Sequence, residues 1–500
     1  MIFRQFIDED LGCASYLLGD GGEAVVIDPS WETAPYLGFA AAHGLRIARV
    51  LETHTHADHL SGRGRLAAES GAELSLPAGA VAAFVHRRLA GGELIAVGEL
   101  RLEVLPTPGH RPEHIALVLT DTARADGPLA VLSGDSLLVG DVARPDLVGA
   151  ERADSEEAAR SLYGSIRRLA ALPDHVELWP GHIGGSLCGG SGTSEKPSST
   201  IGYERATNVG LAARGQERFV AELLARLPER PPTVERVVEL NRGPLLERPA
   251  PLRPLAVDEV QSLLERGGAI VDGRSAEAFD EAAIPGSLCL PLDRPGVGTR
   301  AAWLLGRDQP LVALAASAEQ AEELATRLAA VGLLALRGWL AGGVEAWRAH
   351  GGPLARIGRV DVARAVELVE DGAVLLDVRD AGEAAPRPLA GTLRIPWREL
   401  RSRAGELRSS GRAIVVGCAS GRRTPIAASL LGASGGPALF RLVDGSVAEV
   451  EQGLMRRDAR RRSLRKPPRP LTGASPTTTA NPVTQDPATQ NPATQPTSTR

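Results

Sequence analysis

Four side chains of metal-ligand type lie within six residues near the start of the chain, and this cluster restricts the possible folds more than any other feature. An apolar stretch leads into the sequence Thr-His-Thr-His-Ala-Asp-His at positions 53–59. An extended backbone places His54 and His56 on one side, and we expect Asp58 and His59 on the first turn of a following helix. Three imidazoles held together without a metal would lower one another's pKa for no gain. The cluster therefore predicts a metal site at the end of a strand.

Three isolated residues further along the chain supply the remaining ligands. His110, Asp135 and His182 each follow an apolar stretch and a glycine, as residues at strand ends do. His114 lies four residues after His110, and we expect it to pack beside a ligand or support one. Asp28 also follows an apolar stretch, and it either supports a ligand or makes a turn.

Together these residues resemble the ligand pattern of the metallo-β-lactamase superfamily, in which HxHxDH is followed by a single His, Asp and His. The resemblance implies an αββα sandwich in the first domain, residues 1–247, with the metal at one edge of the two sheets. It leaves two kinds of metal chemistry open.

In the first alternative the site holds two zinc ions. One zinc is held by His54, His56 and His110, the other by Asp58, His59 and His182, and Asp135 bridges the two. A bridging hydroxide then attacks an ester-like carbonyl, which is the thioester hydrolysis of the glyoxalase II-like members.

In the second alternative a single Fe(II) is held by His54, His110 and Asp135. Two histidines and one carboxylate leave open coordination positions and suit non-haem iron oxygen chemistry. The resemblance implies this arrangement for the persulfide dioxygenases, and the segment Gly134-Asp135-Ser136-Leu137-Leu138 with the later Arg144 and Asp146 is similar to theirs. Arg144 either stabilises an anionic sulfur substrate or pairs with Asp146.

A cysteine follows the last predicted ligand. Cys188 lies six residues after His182 in a glycine-rich stretch. A thiol beside a metal site is suited to sulfur exchange, and this segment is similar to persulfide dioxygenases fused to rhodanese modules. The alternative is an inert loop thiol.

The second and third modules, residues 254–354 and 357–455, repeat one pattern. Each has an apolar strand that ends in Asp-x-Arg, at Asp272-Gly-Arg274 and Asp377-Val-Arg379, and each has a later apolar strand followed by a helix-like run. This alternation predicts two parallel α/β sheets and an internal duplication.

The third module carries a cysteine that opens a short loop before a helix, Cys418-Ala-Ser-Gly-Arg-Arg-Thr. Backbone N–H groups of such a loop point at the sulfur, and Arg422 and Arg423 add positive charge, so the loop stabilises a thiolate or persulfide. The pattern resembles the rhodanese family. The resemblance implies that Cys418 carries the sulfane sulfur and that Arg422 and Arg423 bind thiosulfate or sulfite.

The second module has lost this chemistry. Its late signature, Gly342-Gly-Val-Glu-Ala-Trp347, is also rhodanese-like. When its strand is laid over that of the third module, Ala315 lies opposite Cys418, and Glu319 and Gln320 lie opposite the two arginines. We therefore expect an inactive rhodanese-like module that serves as a spacer or docking surface.

Composition excludes several classes of partner. The net charge is −5 and aromatic residues make up 3% of the chain, which argues against nucleic acid or an anionic membrane as partner. The four cysteines are widely spaced and no apolar run is long enough to span a membrane, so we expect a cytoplasmic protein with reduced thiols. Residues 456–500 turn basic and then Pro/Thr-rich, which predicts a disordered tail.

The combined prediction is a persulfide dioxygenase fused to two rhodanese modules. At Fe(II) a low-molecular-weight persulfide is oxidised by O2 to sulfite and thiol. At Cys418 sulfane sulfur is exchanged among persulfide, sulfite and thiosulfate. We also expect a homo-oligomer. Two alternatives remain: a di-zinc thioester hydrolase with an appended sulfurtransferase, and a non-catalytic sulfur carrier or sensor that uses Cys418 alone.

Overall fold

The structure is a computed structural model that describes residues 1–149, 151–184, 186, 188–189, 192–383, 391–409, 411–432 and 436–464. Residues Met1–Gly453 form one compact unit, and the described residues 454–464 fall outside it. No helix among the described residues is both long and apolar enough to cross a membrane.

Two six-stranded sheets form the first part of the chain. The first sheet holds, in spatial order, β1 (Ile2–Asp8), β2 (Cys13–Asp20), β3 (Glu23–Ile27), β4 (Arg46–Leu51), β5 (Glu73–Pro77) and β6 (Arg87–Leu89). The second sheet holds, in spatial order, β7 (Leu94–Val97), β8 (Leu100–Pro106), β9 (Ile115–Asp121), β10 (Ala130–Gly134), β11 (Glu177–Pro180) and β12 (Ser199–Thr200). In the first sheet, the neighbouring pairs β3–β4, β4–β5 and β5–β6 are parallel. In the second sheet, β10 and β11 are parallel.

Helices cover the outer face of each sheet. They are α1 (Ala34–Ala42), α2 (Arg63–Ser70), α3 (Arg152–Ala170), α4 (Ile201–Thr207), α5 (Val209–Ala212), α6 (Gln216–Ala225) and α7 (Val234–Arg242). Successive strand residues point to opposite faces. Leu17 of β2 therefore packs with Tyr36 of α1, whereas Leu18 packs with Leu102 of the second sheet. These layers confirm the predicted αββα sandwich.

The second and third modules each contain a five-stranded parallel sheet. The elements of the second module are β13 (Pro254–Leu255), α8 (Val257–Glu265), β14 (Ala269–Asp272), α9 (Ala276–Glu281), β15 (Leu288–Cys289), α10 (Val297–Leu304), β16 (Leu311–Leu314), α11 (Ala318–Ala330), β17 (Leu336–Leu340) and α12 (Gly343–Ala349).

The elements of the third module follow the same plan. They are β18 (Gly358–Asp361), α13 (Val362–Glu370), β19 (Val374–Asp377), β20 (Thr392–Arg394), α14 (Leu400–Ser409), β21 (Ile414–Gly417), α15 (Thr424–Leu431), β22 (Leu439–Asp444) and α16 (Val447–Leu464), with 3₁₀ turns at Ala381–Glu383 and Trp397–Glu399. Helix α16 continues past the predicted start of the tail at 456, and the rest of that predicted tail, 465–500, lies outside the described residues.

Strand order and register support the predicted duplication. The orders are β13-β17-β16-β14-β15 and β18-β22-β21-β19-β20, which correspond strand for strand. Asp272 pairs with Leu314 and Asp377 pairs with Gly417, so the next residues, Ala315 and Cys418, are structurally equivalent.

The loops after these strands differ in length. Helix α11 begins at Ala318 but α15 begins at Thr424, so the second module has a loop shorter by three residues. Glu319 and Gln320 accordingly lie in the first turn of α11 and not in a loop. This corrects their placement opposite Arg422 and Arg423.

A buried ion pair joins the second and third modules. Arg441 of β22 donates from Nε and Nη2 to Asp280 Oδ2 of α9, at 3.0 and 2.5 Å. Both side chains are buried. We expect Arg441→Met to lower the free energy of unfolding by about 3–5 kcal/mol, because it leaves a buried carboxylate without its partner. Chemical denaturation followed by tryptophan fluorescence measures this change.

Arg359→Met is the matched control. Arg359 also belongs to the third module and lies 3.6 Å from Glu281 of α9, but both side chains are exposed. An exposed pair contributes less than about 1 kcal/mol. Equal effects of the two substitutions would contradict a special contribution of the Arg441–Asp280 pair.

Candidate functional site

The metal-ligand cluster lies in an irregular loop between β4 and α2. Helix α2 begins at Arg63, so Asp58 and His59 precede it and do not lie on its first turn as the sequence predicted. Buried polar contacts fix the loop. Glu52 accepts from Ser61 and Arg63, and Asn241 of α7 donates to the carbonyl oxygens of His56 and His59 at 3.0 and 2.8 Å.

Three of the predicted ligands converge on one point. His54 Nε2 and His110 Nε2 lie 3.6 and 3.4 Å from Asp135 Oδ2. All three side chains are buried, and these three atoms have no hydrogen-bond partner among the described residues. Buried polar atoms are almost always paired, and an absent ion is one explanation of an exception. The three atoms therefore fit a two-histidine, one-carboxylate metal site.

Hydrogen bonds at the other ring nitrogens set the tautomers. His110 Nδ1 donates to the Arg144 carbonyl at 2.9 Å. His54 Nδ1 lies 2.8 Å from Thr53 Oγ1, which in turn donates to Asp28 Oδ2 at 2.7 Å. Burial lowers the pKa of both histidines, so both rings are neutral and carry a lone pair on Nε2. A metal ligand requires this form.

Two supporting residues hold the ligands in place. Asp28 accepts from the Thr53 backbone N–H and hydroxyl, both at 2.7 Å, and it adopts a left-handed backbone with φ of 49°. It therefore both supports a ligand and makes a turn. His114 Nε2 accepts from the Asp135 backbone N–H at 2.8 Å. The supporting role predicted for His114 is thus present in the structure.

A hydrogen-bonded chain joins His59, Asp58 and His182 to the second oxygen of Asp135. His182 donates from Nε2 to Asp58 Oδ2 at 2.9 Å and from Nδ1 to Asp135 Oδ1 at 2.7 Å, and His59 Nδ1 donates to Asp58 Oδ1 at 3.0 Å. Burial opposes the charged form of His182, but Asp135 and Asp58 raise its pKa well above the usual range. The Asp58 and Asp135 oxygens in this chain are satisfied by histidine donors.

His56 does not join the convergent trio. Its Nε2 lies 3.3 Å from Asp28 Oδ1 and 3.9 Å from Glu52 Oε2, although its ring centroid is 4.3 Å from that of His54. The irregular backbone of the loop turns the two rings toward different carboxylates. The structure therefore does not assemble His54, His56 and His110 as one set of ligands.

Cys13 is a site residue that the sequence analysis missed. Its sulfur lies in a buried group with donor atoms of Asp58, His59 and His182, all within 4.8 Å of one another. Cys13 begins β2, far from the other members in the chain, and no local pattern identifies it. Asn241 was also missed. It shares the buried face of α7 with Val234 and Val237, and a polar residue at a helical spacing from apolar ones indicates a buried hydrogen-bonding role.

Cys188 lies beside the trio, as predicted. Its sulfur and donor atoms of Asp135 and His182 lie within 4.8 Å of one another. The side chain is fully buried against Ala57, Leu147 and Val234, and burial followed by the charge of Asp58 raises its pKa well above the usual range.

Arg144 forms an ion pair with Asp146, which is one of the two roles predicted for it. Its Nε and Nη2 donate to both oxygens of Asp146 at 2.7 and 2.8 Å, and Nη2 also donates to the Pro228 carbonyl at 2.8 Å. The side chain is buried. This corrects the anion-binding alternative, because the guanidinium is already bound to a carboxylate and to backbone.

The Cys418 loop has the predicted form. Cys418 directly follows β21, and its sulfur accepts from the Gly421 backbone N–H at 3.1 Å. Gly421 has φ of 74°, a conformation that favours glycine. Arg422 is exposed on this loop.

Arg423 differs from its prediction. Its Nη1 donates to Asp380 at 3.1 Å and its Nη2 to Glu383 at 2.7 Å. Hydrogen bonding to Glu383 raises its pKa. Arg423 therefore anchors the loop to the 3₁₀ turn at Ala381–Glu383, and its charge is compensated, which corrects its assignment as an anion-binding group.

Comparison with known proteins agrees with this fold. Residues 8–182 match the Metallo-beta-lactamase superfamily and residues 256–350 match the Rhodanese-like domain. The mitochondrial persulfide dioxygenase of Homo sapiens is 32% identical over 187 residues, which are 36% of this chain and 68% of that protein. A hydroxyacylglutathione hydrolase of Anaeromyxobacter dehalogenans is 36% identical over 169 residues, which are 34% of this chain and 60% of that protein.

A solved structure extends the likeness. The crystal structure of a metallo-beta-lactamase from Staphylococcus aureus is 30% identical, with a TM-score of 0.61, and the match covers 68% of this chain and 98% of that chain. The matched share exceeds the first domain, so the likeness includes part of the later modules. The chain belongs to the metallo-beta-lactamase superfamily, is related to the persulfide dioxygenases and carries a rhodanese-like domain.

Proposed function

We propose that the first domain is a persulfide dioxygenase with one Fe(II), and that the third module is a sulfurtransferase acting through Cys418. One observation carries the first part. His54, His110 and Asp135 direct three unpartnered buried atoms at one another. In the second set His182 and Asp58 form a hydrogen bond, and His59 Nε2 is the one ring nitrogen without a partner among the described residues. This asymmetry favours one metal over two.

The reaction proposed for the first domain oxidises the terminal sulfur of a small persulfide. It balances as RSSH + O2 + H2O → RSH + SO3²⁻ + 2H⁺. Fe(II) held by two histidines and one carboxylate keeps open coordination positions and supplies the redox chemistry.

The chain's own residues present the ligands to that metal. Arg144 and Thr53 fix the rings of His110 and His54 with Nε2 toward the centre. His182 holds Asp135 through Oδ1, which leaves Oδ2 for the metal, and His114 fixes the backbone of Asp135. Such supporting contacts commonly contribute 10- to 100-fold in metal affinity or activity, as a rough guide.

Cys188 is the protein thiol nearest to the proposed chemistry. Its sulfur lies beside donor atoms of Asp135 and His182, where exchange with a bound persulfide would run as RSSH + Cys188–SH → RSH + Cys188–SSH. The thiolate is the nucleophile in such an exchange, so the step requires removal of the thiol proton, which burial opposes. At the other site, Cys418 as a persulfide transfers its terminal sulfur to sulfite and thereby forms thiosulfate. The first reaction produces sulfite and the second consumes it.

The hydrolase alternative keeps specific support. The relative from Anaeromyxobacter dehalogenans is a hydroxyacylglutathione hydrolase, and both ring nitrogens of His56 have no hydrogen-bond partner among the described residues. In this alternative two zinc ions would recruit His56 and break the His182–Asp58 hydrogen bond.

Metal content and oxygen uptake, measured on the same preparation, test the proposal. The protein is purified without added metal and is then given a small-molecule persulfide. We expect close to one iron per chain and oxygen uptake that depends on the persulfide. Two zinc ions per chain, thioester hydrolysis and no oxygen uptake would overturn the dioxygenase assignment.

A further inference from the structure

A cavity of about 290 Å³ lies beside the Cys418 loop, and both rhodanese-like modules line it. The third module contributes Ser420, Arg422 and Arg423, and the second module contributes Arg300 and Trp303 of α10. The second module therefore supplies side chains to the only rhodanese loop in the chain that carries a cysteine.

The cavity carries uncompensated positive charge. Arg423 is neutralised by Asp380 and Glu383. Within the part of the chain that the structure describes, neither Arg300 nor Arg422 forms an ion pair with a carboxylate. Burial lowers the pKa of Arg300, and Arg422 and Arg423 lower it further while Asp10 opposes them. Arg300 and Arg422 are thus close neighbours without an ion-pair partner among the described residues, and the one carboxylate in the lining, Asp380, is already bound to Arg423 and Arg398.

The uncharged lining groups are also donors. Trp303 Nε1 is buried and has no acceptor among the described residues, and an indole N–H only donates. The Ser420 hydroxyl lies in the same lining. Donors without acceptors, together with unpaired guanidinium groups, select an anion.

The second module holds Arg300 in a fixed position. Arg300 Nη1 donates to the Pro295 carbonyl at 2.7 Å. The start of α10 is in turn fixed by Asp10 of the first domain, which accepts from the backbone N–H groups of Val297 and Gly298, each at 2.7 Å. A donor held in this way loses little conformational freedom when it binds an anion.

We propose that Arg300 and Trp303 of the second module, with Arg422, form the oxyanion subsite for the sulfur substrate of Cys418. This inference rests on the proposed sulfurtransferase function. A volume of about 290 Å³ suits a small ion with some water, since one water occupies about 30 Å³. The ligand class is a sulfur oxyanion, sulfite or thiosulfate. The second module, whose loop after β16 lacks a cysteine, therefore contributes side chains to the binding site.

The transfer step balances without an oxidant. The sulfite sulfur attacks the terminal sulfur of the Cys418 persulfide with its lone pair. A new sulfur–sulfur bond forms, the bond to Cys418 Sγ breaks, and the thiolate leaves: Cys–S–S⁻ + SO3²⁻ → Cys–S⁻ + S2O3²⁻. The reverse step loads Cys418 from thiosulfate. Arg300 binds the oxyanion in both directions.

Arg300→Gln in the full-length protein tests the inference by two readouts. The first is the KM for thiosulfate, with sulfur loading followed by mass spectrometry of the Cys418 peptide. The second is the rate of Cys418 alkylation by anionic iodoacetate relative to neutral iodoacetamide. We expect KM to rise about 10- to 100-fold and the iodoacetate preference to fall similarly, because a charge-assisted contact is lost. Trp303→Phe should raise KM less, and Arg300→Lys should restore part of the effect.

Arg348→Gln is the matched control, since it removes an exposed charge from α12 of the same module. Wild-type values of both readouts in Arg300→Gln would overturn the inference and leave the sulfurtransferase assignment standing. If wild-type Cys418 never accepts sulfur but its iodoacetate preference depends on Arg300, the proposed function fails and the anion subsite stands. The two failures are therefore distinguishable.

Discussion

His110→Ala is expected to remove the metal from the first domain and to reduce persulfide-dependent oxygen uptake by more than about a hundredfold. The loss of a supporting contact alone costs about 10- to 100-fold, and His110 supplies one of three convergent donor atoms. The alanine also leaves the Arg144 carbonyl without its donor. Metal analysis and oxygen uptake at saturating persulfide measure the two losses.

His56→Gln is the control that separates one metal from two. His56 lies in the same buried loop but faces Asp28 and Glu52. With a single metal we expect His56→Gln to keep the metal content of the wild type and most of the oxygen uptake. Loss of one of two metals in His56→Gln would contradict the mononuclear site, and unchanged metal in His110→Ala would contradict the trio itself.

The architecture of the first domain and the histidines and aspartates of its candidate site could be predicted because they depend on local patterns, whereas Cys13 follows no such pattern. His110, Asp135 and His182 each follow an apolar strand and a glycine, and strand ends meet at one edge of a sheet. Which ligands belong together could not be predicted. The loop around His54 and His56 is irregular, so strand periodicity fails there, and the pairing of His182 with Asp58 and Asp135 appears only in three dimensions.

The roles of arginines depend on contacts that a sequence does not show. Arg144 lies two residues from Asp146, so its ion pair was a readable alternative. Arg423 is bound by Asp380 and Glu383, about 40 positions earlier, and Arg300 reaches the Cys418 loop from another module. A charge can be read from the sequence, but its compensation depends on packing between distant segments.

Loop length explains why one module of the duplication is expected to be inactive. Ala315 is equivalent to Cys418 by strand register. The six-residue spacing from Cys418 to Thr424 leaves room for the Gly421 N–H to reach the sulfur, whereas α11 begins three residues after Ala315. A cysteine at position 315 would therefore lack both the backbone donor and the arginines.

Cys418→Ser is expected to reduce sulfur transfer from thiosulfate to below about a thousandth of the wild-type rate, because a hydroxyl does not replace the thiolate as the carrier of sulfane sulfur. The substitution keeps a donor and acceptor of similar size beside the Gly421 N–H, so the buried loop retains its shape. Thiosulfate consumption and the mass of the peptide around position 418 measure the effect.

The same variant tests whether the two sites are independent. Cys418→Ser should keep the metal content and the persulfide-dependent oxygen uptake of the wild type, because the trio of His54, His110 and Asp135 belongs to another domain. The double variant Cys418→Ser with Ala315→Cys should remain inactive in sulfur transfer, since the shorter loop of the second module has no backbone N–H equivalent to that of Gly421 to stabilise the new thiolate. Transfer restored by Ala315→Cys would show that strand register alone is sufficient. Oxygen uptake lost with Cys418 would mean that the persulfide reaches the metal only through the third module.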